Sequence, residues 1–238
     1  MKDKFGILFI VLLFAAPIEM LSQNRWERPA GEYFTKDSLT RGRYTLIFVN
    51  KDSLFSKEMM SKLDETFFTV YPAMAKRFNK KTSMKVLFVI DPAYKGVAAT
   101  SADRVVFNPL WFRDHPGDID VVTHEVMHIV QAYGNTPGPG WLTEGIADYV
   151  RYRYGVDNAG ANWLLPEVNP EQSYTNAYRV TARFLVWTEQ RKNKKIVDKL
   201  DRVMRDHTYQ DNLWEKLTGQ ALDDLWHEYL ADPKIKTI

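Results

Sequence analysis

The sequence DIDVVTHEVMHIVQAYG, from Asp118 to Gly134, establishes how this chain is organised. Apolar residues recur in it at intervals of three and four, which predicts a helix with one buried face. They are Ile119, Val122, Val126, Ile129 and Val130. We expect Asp118 to be the N-cap of this helix and Gly134 to end it, because both residue types favour those positions.

Two histidines lie four residues apart on this predicted helix. His124 and His128 enclose the sequence Glu125-Val126-Met127. Residues four apart in an α-helix point to the same side, so both imidazoles project from one face. This spacing suits two nitrogen ligands of a single zinc ion, with the intervening Glu125 turned toward the open coordination position. The sequence therefore predicts a metal site here.

A catalytic zinc needs a third protein ligand, and Glu144 is the candidate. It lies early in a second predicted helix, about 141–154, and the turn-rich residues 135–140 would let that helix fold back against the first. Asp148 shares its helix face. In one interpretation Glu144 binds the metal, while Asp148 accepts a hydrogen bond from a histidine ligand. Two alternatives stay open: Asp148 binds the metal instead, or both carboxylates lie on a solvated helix face.

The segments before this region predict a small sheet with a helix on it. Residues 23–42 are polar and predict an irregular lead-in. Residues 54–79 have helical periodicity, and Pro72 should kink this helix or divide it into two. Aromatic and β-branched residues are concentrated in four segments that predict strands. These segments are 43–50, 84–90, 97–101 and 104–108.

The segments after the second helix predict mainly helical structure. A loop is expected at 156–173, followed by helices at about 174–191, 194–207 and 220–231. The whole pattern predicts an α+β fold: a small N-terminal mixed sheet with helices, a mainly helical C-terminal lobe, and the active-site helix between them. We expect one domain over 23–238, with lobes at about 40–133 and 134–238.

Composition narrows the classes of function. The chain of 238 residues is 45% hydrophobic and 26% charged, as in a globular protein. The 32 Lys plus Arg residues balance 30 Asp plus Glu residues, leaving a formal charge of +2, which gives no reason to expect a nucleic-acid partner. The chain has no cysteine, which excludes disulfides, thiolate zinc sites, iron–sulfur clusters and cysteine nucleophiles. Histidine and carboxylate side chains remain for metal binding and catalysis.

The N-terminus has the layout of a secretory signal peptide. Lys2 and Lys4 precede a short apolar run at 5–16, and Leu21-Ser22 resembles a cleavage site. The run is shorter than the ~20 residues that a membrane-spanning helix needs. We therefore expect residues 1–22 to be a signal peptide and the mature protein to be secreted or periplasmic, without stable membrane insertion. An uncleaved membrane anchor is the alternative.

The motif of two histidines followed by Glu144 and Asp148 resembles the gluzincins, the thermolysin-like zinc peptidases. More narrowly, the sequence is similar to the basic secretory protein family of peptidases over roughly residues 40–231. The similarity rests on the segments 123–128, 144–151, 177–185 and 219–229 and on the turn between the first two. It implies a zincin-like fold, one bound Zn²⁺ and hydrolysis of peptide bonds. The net charge of +2 departs from the basic character that the family name suggests.

The residues of this motif suggest a mechanism. His124, His128 and Glu144 would hold zinc, and Glu125 would act as the general base on a water molecule. Tyr178 is the candidate oxyanion donor because it lies in a family-like segment, although Tyr174 lies four residues earlier. By analogy with gluzincin-like folds, we expect the strand at 104–108 to be an edge strand that binds an extended substrate. Three histidines fit no ligand spacing and should lie on the surface: His115, His207 and His227.

The leading hypothesis is an exported, zinc-dependent metallopeptidase that cleaves protein or peptide substrates within the chain. An aminopeptidase is a second possibility, but it would need an additional acidic group to bind the substrate ammonium. A third is a catalytically silent zincin that binds peptides or glycans. The presence of Glu125 argues against the third possibility, because a binding module has no chemical need for that base.

Overall fold

The computed structural model describes residues 32–134 and 138–236. The predicted signal peptide at 1–22 and part of the predicted turn, residues 135–137, lie outside the described residues. The strands are β1 (Thr35–Arg41), β2 (Tyr44–Asn50), β3 (Lys85–Ile90), β4 (Ala98–Ser101) and β5 (Arg104–Phe107). The helices are α1 (Lys57–Arg77), α2 (Pro109–Asp114), α3 (Val121–Gln131), α4 (Gly140–Tyr154), α5 (Tyr178–Arg191), α6 (Ile196–Arg205), α7 (Leu213–Thr218) and α8 (Leu222–Ala231).

The five strands form one mixed sheet in the order β1-β2-β3-β5-β4. β2, β3 and β5 run parallel to one another, while β1 and β4 pair antiparallel at the two edges. Helix α1 packs on the sheet through fully buried aromatic residues, including a contact between Phe67 and Phe88 with ring centroids 5.6 Å apart. A small mixed sheet followed by mainly helical structure confirms the predicted α+β class.

Both edges of the sheet differ from the sequence prediction. The strand at 104–108 was expected to be an edge, but β5 pairs with β3 on one side and β4 on the other. Its Val105 and Phe107 are fully buried, as in an inner strand. At the opposite edge, residues predicted to be an irregular lead-in form β1. Its sequence TKDSLTR is polar because almost every position is exposed to solvent.

Helix α1 is a single helix that continues through Pro72, so the alternative of two helices is wrong. Two short helices, α2 and α7, were not predicted. Helices α6 and α8 lie within the predicted ranges. The segment at 174–191 was predicted as one helix, but the structure has a 3-10 turn at Tyr174–Asn176 and begins α5 at Tyr178. Ala177, with a positive φ of 63°, lies between them, and Tyr178 at the start of α5 also has a positive φ, of 48°.

Helix α3 is fixed at its start by side chains rather than by the predicted cap. Its N-cap is Asp120, not Asp118. The buried Asp120 carboxylate accepts hydrogen bonds from the Thr123 hydroxyl at 2.7 Å and from the Val156 backbone N–H at 2.8 Å. Asp118 instead forms a buried ion pair with Arg151 of α4, whose Nη2 lies 2.5 Å from Oδ1. The beginning of α3 is therefore attached to α4 and to the loop after it.

The end of α3 is also held from outside the helix. Ala132, with φ of 47°, ends the helix in place of the predicted Gly134. The carbonyl of Val130 accepts hydrogen bonds from Asn79 at 2.9 Å and from Arg205 at 3.3 Å, and Arg205 also donates to the Gln131 carbonyl at 3.2 Å. These donors satisfy carbonyls that a helix end leaves without partners. Anchored at both ends, α3 is a firm support for the side chains it carries.

Helices α4 and α5 approach each other closely at Gly145. A Cβ atom at this position would lie 2.2 Å from Cγ2 of the fully buried Thr181. Only glycine permits this approach without displacing the helices, and Gly145 directly follows Glu144. None of the helices in the described ranges combines the length and the apolar character that crossing a membrane requires.

Candidate active site

Three side chains from α3 and α4 converge on one point. The Nε2 atoms of His124 and His128 are 3.1 Å apart, and Oε2 of Glu144 lies 3.2 Å from the first and 3.6 Å from the second. One donor atom from each residue falls within 4.8 Å of the others. Within the described residues this is the one group of histidine and acidic side chains arranged to hold a metal ion. The structure thus brings the three predicted ligands together.

The other nitrogen of each imidazole has a protein partner. Nδ1 of His124 lies 2.6 Å from Oδ1 of the buried Asp148, and Nδ1 of His128 lies 2.7 Å from Oε1 of the buried Gln131. A carboxylate can only accept a hydrogen bond, so the proton of His124 belongs on Nδ1. Its Nε2 atom then faces the cluster. Asp148 therefore has the geometry of the orienting partner in the prediction, while Glu144 contacts the inner nitrogens.

Glu125 is held next to the cluster by the edge strand β4. Its side chain is buried, and Oε2 accepts a hydrogen bond of 2.6 Å from the Thr100 hydroxyl. The same hydroxyl lies 3.0 Å from the Glu125 backbone carbonyl. Thr100 thus fixes the carboxylate that the sequence analysis predicts to be the base, and it links that carboxylate to the edge of the sheet.

The electrostatic environment of the cluster favours a cation. Burial alone would lower the pKa of His124, but hydrogen bonds with Asp148 and Glu144 raise that pKa to about 10, with Glu125 contributing in the same direction. Burial raises the pKa of Glu144, yet hydrogen bonds and charge interactions with the two histidines hold it well below its usual range. The carboxylates thus stabilise positive charge at the point where the three side chains meet.

The two candidate tyrosines have different surroundings. The Tyr178 ring stacks at 6.1 Å, between centroids, on the ring of His124, and it is 53% exposed. The negative charge of Glu144, followed by burial and by Asp148 and Glu125, raises the pKa of Tyr178. The Tyr174 hydroxyl, in contrast, donates a 2.7 Å hydrogen bond to Asp223. Of the two tyrosines, only Tyr178 has its ring against a residue of the cluster.

The structure adds two residues that the sequence analysis missed. Gln131 lies three residues after His128, so its position on the same helix face was a usable signal. Thr100 could not be found in this way, because its contact with Glu125 depends on the order of strands in the sheet. The histidines predicted to lie on the surface are all exposed: His115, His207 and His227.

Comparisons with solved structures show the fold. Aminopeptidase A of Legionella pneumophila, in complex with aspartic acid, matches with a TM-score of 0.56 at 13% identity, over 81% of this chain and 27% of that chain. An aminopeptidase N family protein of Idiomarina loihiensis matches with a TM-score of 0.55 at 10% identity, over 82% of this chain and 46% of that one. The chain thus spans less than half the length of either protein. The likeness confirms the predicted zincin-like fold.

Sequence comparison identifies the family. No curated protein matches the chain. The profile of one protein family, described as a peptidase of plants and bacteria, matches residues 37–229. That match begins within β1, ends within α8 and includes all the residues of the candidate site. The chain therefore belongs to this family of peptidases, the basic secretory protein family that its motifs resemble.

Proposed function

We propose that this protein is an exported zinc-dependent metallopeptidase, with His124, His128 and Glu144 as the zinc ligands and Glu125 as the general base. The observation that carries the proposal is the convergence of two imidazole nitrogens and a carboxylate oxygen beside a buried glutamate. Two histidines and one glutamate form a ligand set typical of catalytic zinc, which leaves a fourth position open. Export as a secreted or periplasmic protein rests on the predicted signal peptide at 1–22.

The three side chains fit zinc in the type of their ligand atoms as well as in their number. Both imidazoles present Nε2, because Asp148 and Gln131 occupy the two Nδ1 atoms. Partners of this kind orient a histidine and make it a better ligand. The absence of cysteine from the chain is consistent with nitrogen and oxygen ligands alone. When bound, a zinc ion lowers the pKa of a water molecule to about 7 and polarises a carbonyl group.

Glu125 performs the proton transfers in the proposed reaction. It accepts a proton from the water molecule as the water oxygen attacks the carbonyl carbon of the peptide bond. It then delivers this proton to the amide nitrogen as the carbon–nitrogen bond breaks, which yields a carboxylic acid and an amine; the acid then gives its proton to the amine or to solvent. The 2.6 Å hydrogen bond from Thr100 holds the Glu125 carboxylate in one orientation for both transfers. In the proposed reaction, Tyr178 donates a hydrogen bond to the oxyanion that develops on the attacked carbonyl.

Strand β4 takes the substrate-binding role that the sequence analysis gave to the strand at 104–108. The Val97 carbonyl bonds to the Asn108 N–H, and hydrogen-bonded pairs alternate along an antiparallel ladder. The backbone N–H and C=O of Thr100 therefore point away from β5, toward the open edge. An extended peptide could pair with them as an additional strand. The same residue also holds Glu125, so the scissile bond would lie beside the base.

Metal analysis combined with an activity assay tests the proposal. The purified protein should contain one zinc ion and cleave an unlabelled protein mixture, with new peptides identified by mass spectrometry. A chelator should stop cleavage, and added zinc should restore it. Cleavage that survives removal of the metal would contradict the proposal. Bound zinc without cleavage of any protein or peptide would instead favour the silent binding module.

An aminopeptidase is the second candidate, since two of the matching structures are of an aminopeptidase and an aminopeptidase-family protein. Such an enzyme needs a free carboxylate to bind the substrate ammonium. Strand β4 has the sequence AATS and supplies none, and the nearby Glu125, Glu144 and Asp148 already have other partners. A matched pair of peptides, acetylated and free at the N-terminus, separates the candidates. We expect both to be cleaved internally, whereas an aminopeptidase would release single residues from the free peptide alone.

A further inference from the structure

Gln131 joins the two helices that carry the candidate zinc ligands. It is the last residue of α3 and is 1% exposed. Its Oε1 lies 2.7 Å from Nδ1 of His128, and its Nε2 donates a 2.9 Å hydrogen bond to the backbone carbonyl of Thr143 on α4. Thr143 directly precedes Glu144. One amide group therefore contacts a histidine ligand on α3 and the backbone next to the carboxylate ligand on α4.

The chemistry of these contacts fixes the orientation of the amide and the position of a proton. A backbone carbonyl can only accept, so the amide atom that faces Thr143 must be the NH₂ group. The atom facing His128 is then the amide oxygen, which also can only accept. Nδ1 of His128 must therefore carry the proton, and the lone pair of this imidazole lies on Nε2. That Nε2 atom is the one directed at His124 and Glu144.

The Gln131 backbone is held independently of its side chain. Its carbonyl accepts a 3.2 Å hydrogen bond from Arg205, and the carbonyl of Val130 before it accepts from Asn79 at 2.9 Å. Arg205 is in turn paired with the buried Asp201. Because the backbone is fixed in this way and the Thr143 carbonyl binds the NH₂ group, the amide oxygen is held in one position against which His128 is oriented.

We infer that Gln131 is a positioning residue for zinc binding, which selects the Nδ1–H tautomer of His128 and ties this ring to the backbone of α4 beside Glu144. The inference rests on the proposed zinc site. It gives the two histidines different partners: His124 is oriented by the carboxylate of Asp148, and His128 by a neutral amide whose own orientation is set by Thr143. A neutral partner adds no further negative charge to a cluster that already contains three carboxylates.

Zinc affinity of two Gln131 variants tests the inference. Gln131→Leu keeps most of the side-chain volume but offers His128 no acceptor. Gln131→Glu restores an acceptor for the Nδ1 proton but cannot donate to Thr143. Tyr71→Phe in α1 serves as the control, because it removes the hydrogen bonds of the buried Tyr71 hydroxyl to the Thr82 hydroxyl and the Ser83 carbonyl. Dissociation constants come from competition with a chelator, and melting temperatures are measured on the zinc-free proteins.

We expect Gln131→Leu to weaken zinc binding by ~10–100-fold, the usual effect of losing the partner of a ligating histidine. Gln131→Glu should bind within a few-fold of the unmodified protein, although its zinc-free form should melt lower. Tyr71→Phe should lower the melting temperature and leave the affinity unchanged. The inference is overturned if Gln131→Leu retains full affinity, or if Gln131→Glu binds as weakly as Gln131→Leu. If the unmodified protein binds no zinc, the proposed function fails together with it.

Discussion

Replacing Gly145 with alanine should displace the third candidate ligand by forcing α4 away from α5. The new Cβ would lie 2.2 Å from Cγ2 and 2.6 Å from Cβ of Thr181. Carbon atoms pack at about 3.5–4.0 Å, so the two helices would have to separate by more than about 1 Å. Thr181 is β-branched and fully buried, and its hydroxyl bonds to the Tyr174 carbonyl, so the side chain cannot turn away.

The expected change in stability of Gly145→Ala follows from two opposing contributions to the free energy of unfolding. Overpacking a core costs about 1–3 kcal/mol, while alanine in place of glycine favours a helix interior by about 1 kcal/mol. We expect a net loss of up to about 2 kcal/mol, which lowers the melting temperature by up to about 8 °C in a domain of this size. Because Gly145 follows Glu144, zinc affinity should fall as well, by at least ~10-fold.

Thermal melting and chelator competition check both effects, with Gly140→Ala as the matched control. Gly140 begins the same helix, and a Cβ there would meet nothing within 4 Å. This variant should be neutral, or more stable by up to about 1 kcal/mol, with unchanged zinc affinity. If Gly145→Ala also gains stability and binds zinc normally, the close approach of α4 and α5 does not position Glu144, and the reasoning fails.

Three further predictions concern individual side chains. Glu144→Ala should abolish zinc binding, whereas Asp148→Asn should weaken it by only ~10–100-fold. Competition with a chelator measures both affinities, and the reverse ranking would show that Asp148 is the ligand and Glu144 its orienting partner. Tyr178→Phe should lower kcat and kcat/KM together by ~10²–10³-fold with KM unchanged, while Tyr174→Phe retains full turnover in the same steady-state assay. Burial, assisted by the charge of Glu65, raises the pKa of Asp64 to about 7. Between about pH 4 and pH 7 the folded protein therefore binds one more proton than the unfolded chain, and its stability falls as the pH rises through that range. Asp64→Asn should remove this loss of stability. The melting temperature of the variant should therefore exceed that of the unmodified protein by more at pH 8 than at pH 5. An equal difference at both pH values would contradict the burial argument.

The parts of the site that follow from local geometry could be predicted from the sequence. Helical spacing alone places His124 and His128 on one face of α3, and Glu144 and Asp148 on one face of α4. The structure brings these four side chains together, and their roles stay predictions. The helices themselves were predictable because α3 and α4 are amphipathic and separated by a turn-rich segment.

The parts that depend on non-local contacts could not be predicted. Strand β1 is polar because it is an exposed edge, so it has no hydrophobic alternation to reveal it. β5 pairs with β3 and leaves β4 at the edge of the sheet. No feature of the two short sequences specifies this order. The contact between Gln131 and Thr143 depends on how α3 and α4 cross. Ala177 gives no sign in the sequence of the positive φ that precedes α5, because alanine seldom adopts it.

The variant Glu125→Gln tests whether Glu125 is the base of a zinc peptidase. Glutamine preserves the size of the side chain and can still accept the Thr100 hydrogen bond, but it cannot take a proton from water. Zinc content and peptide cleavage would be measured on the same purified sample, with the exposed Glu171→Gln as a control for the substitution. We predict that Glu125→Gln retains its zinc while cleavage falls by at least ~10²–10⁴-fold. Cleavage near the level of the unmodified protein, with zinc bound, would contradict the account.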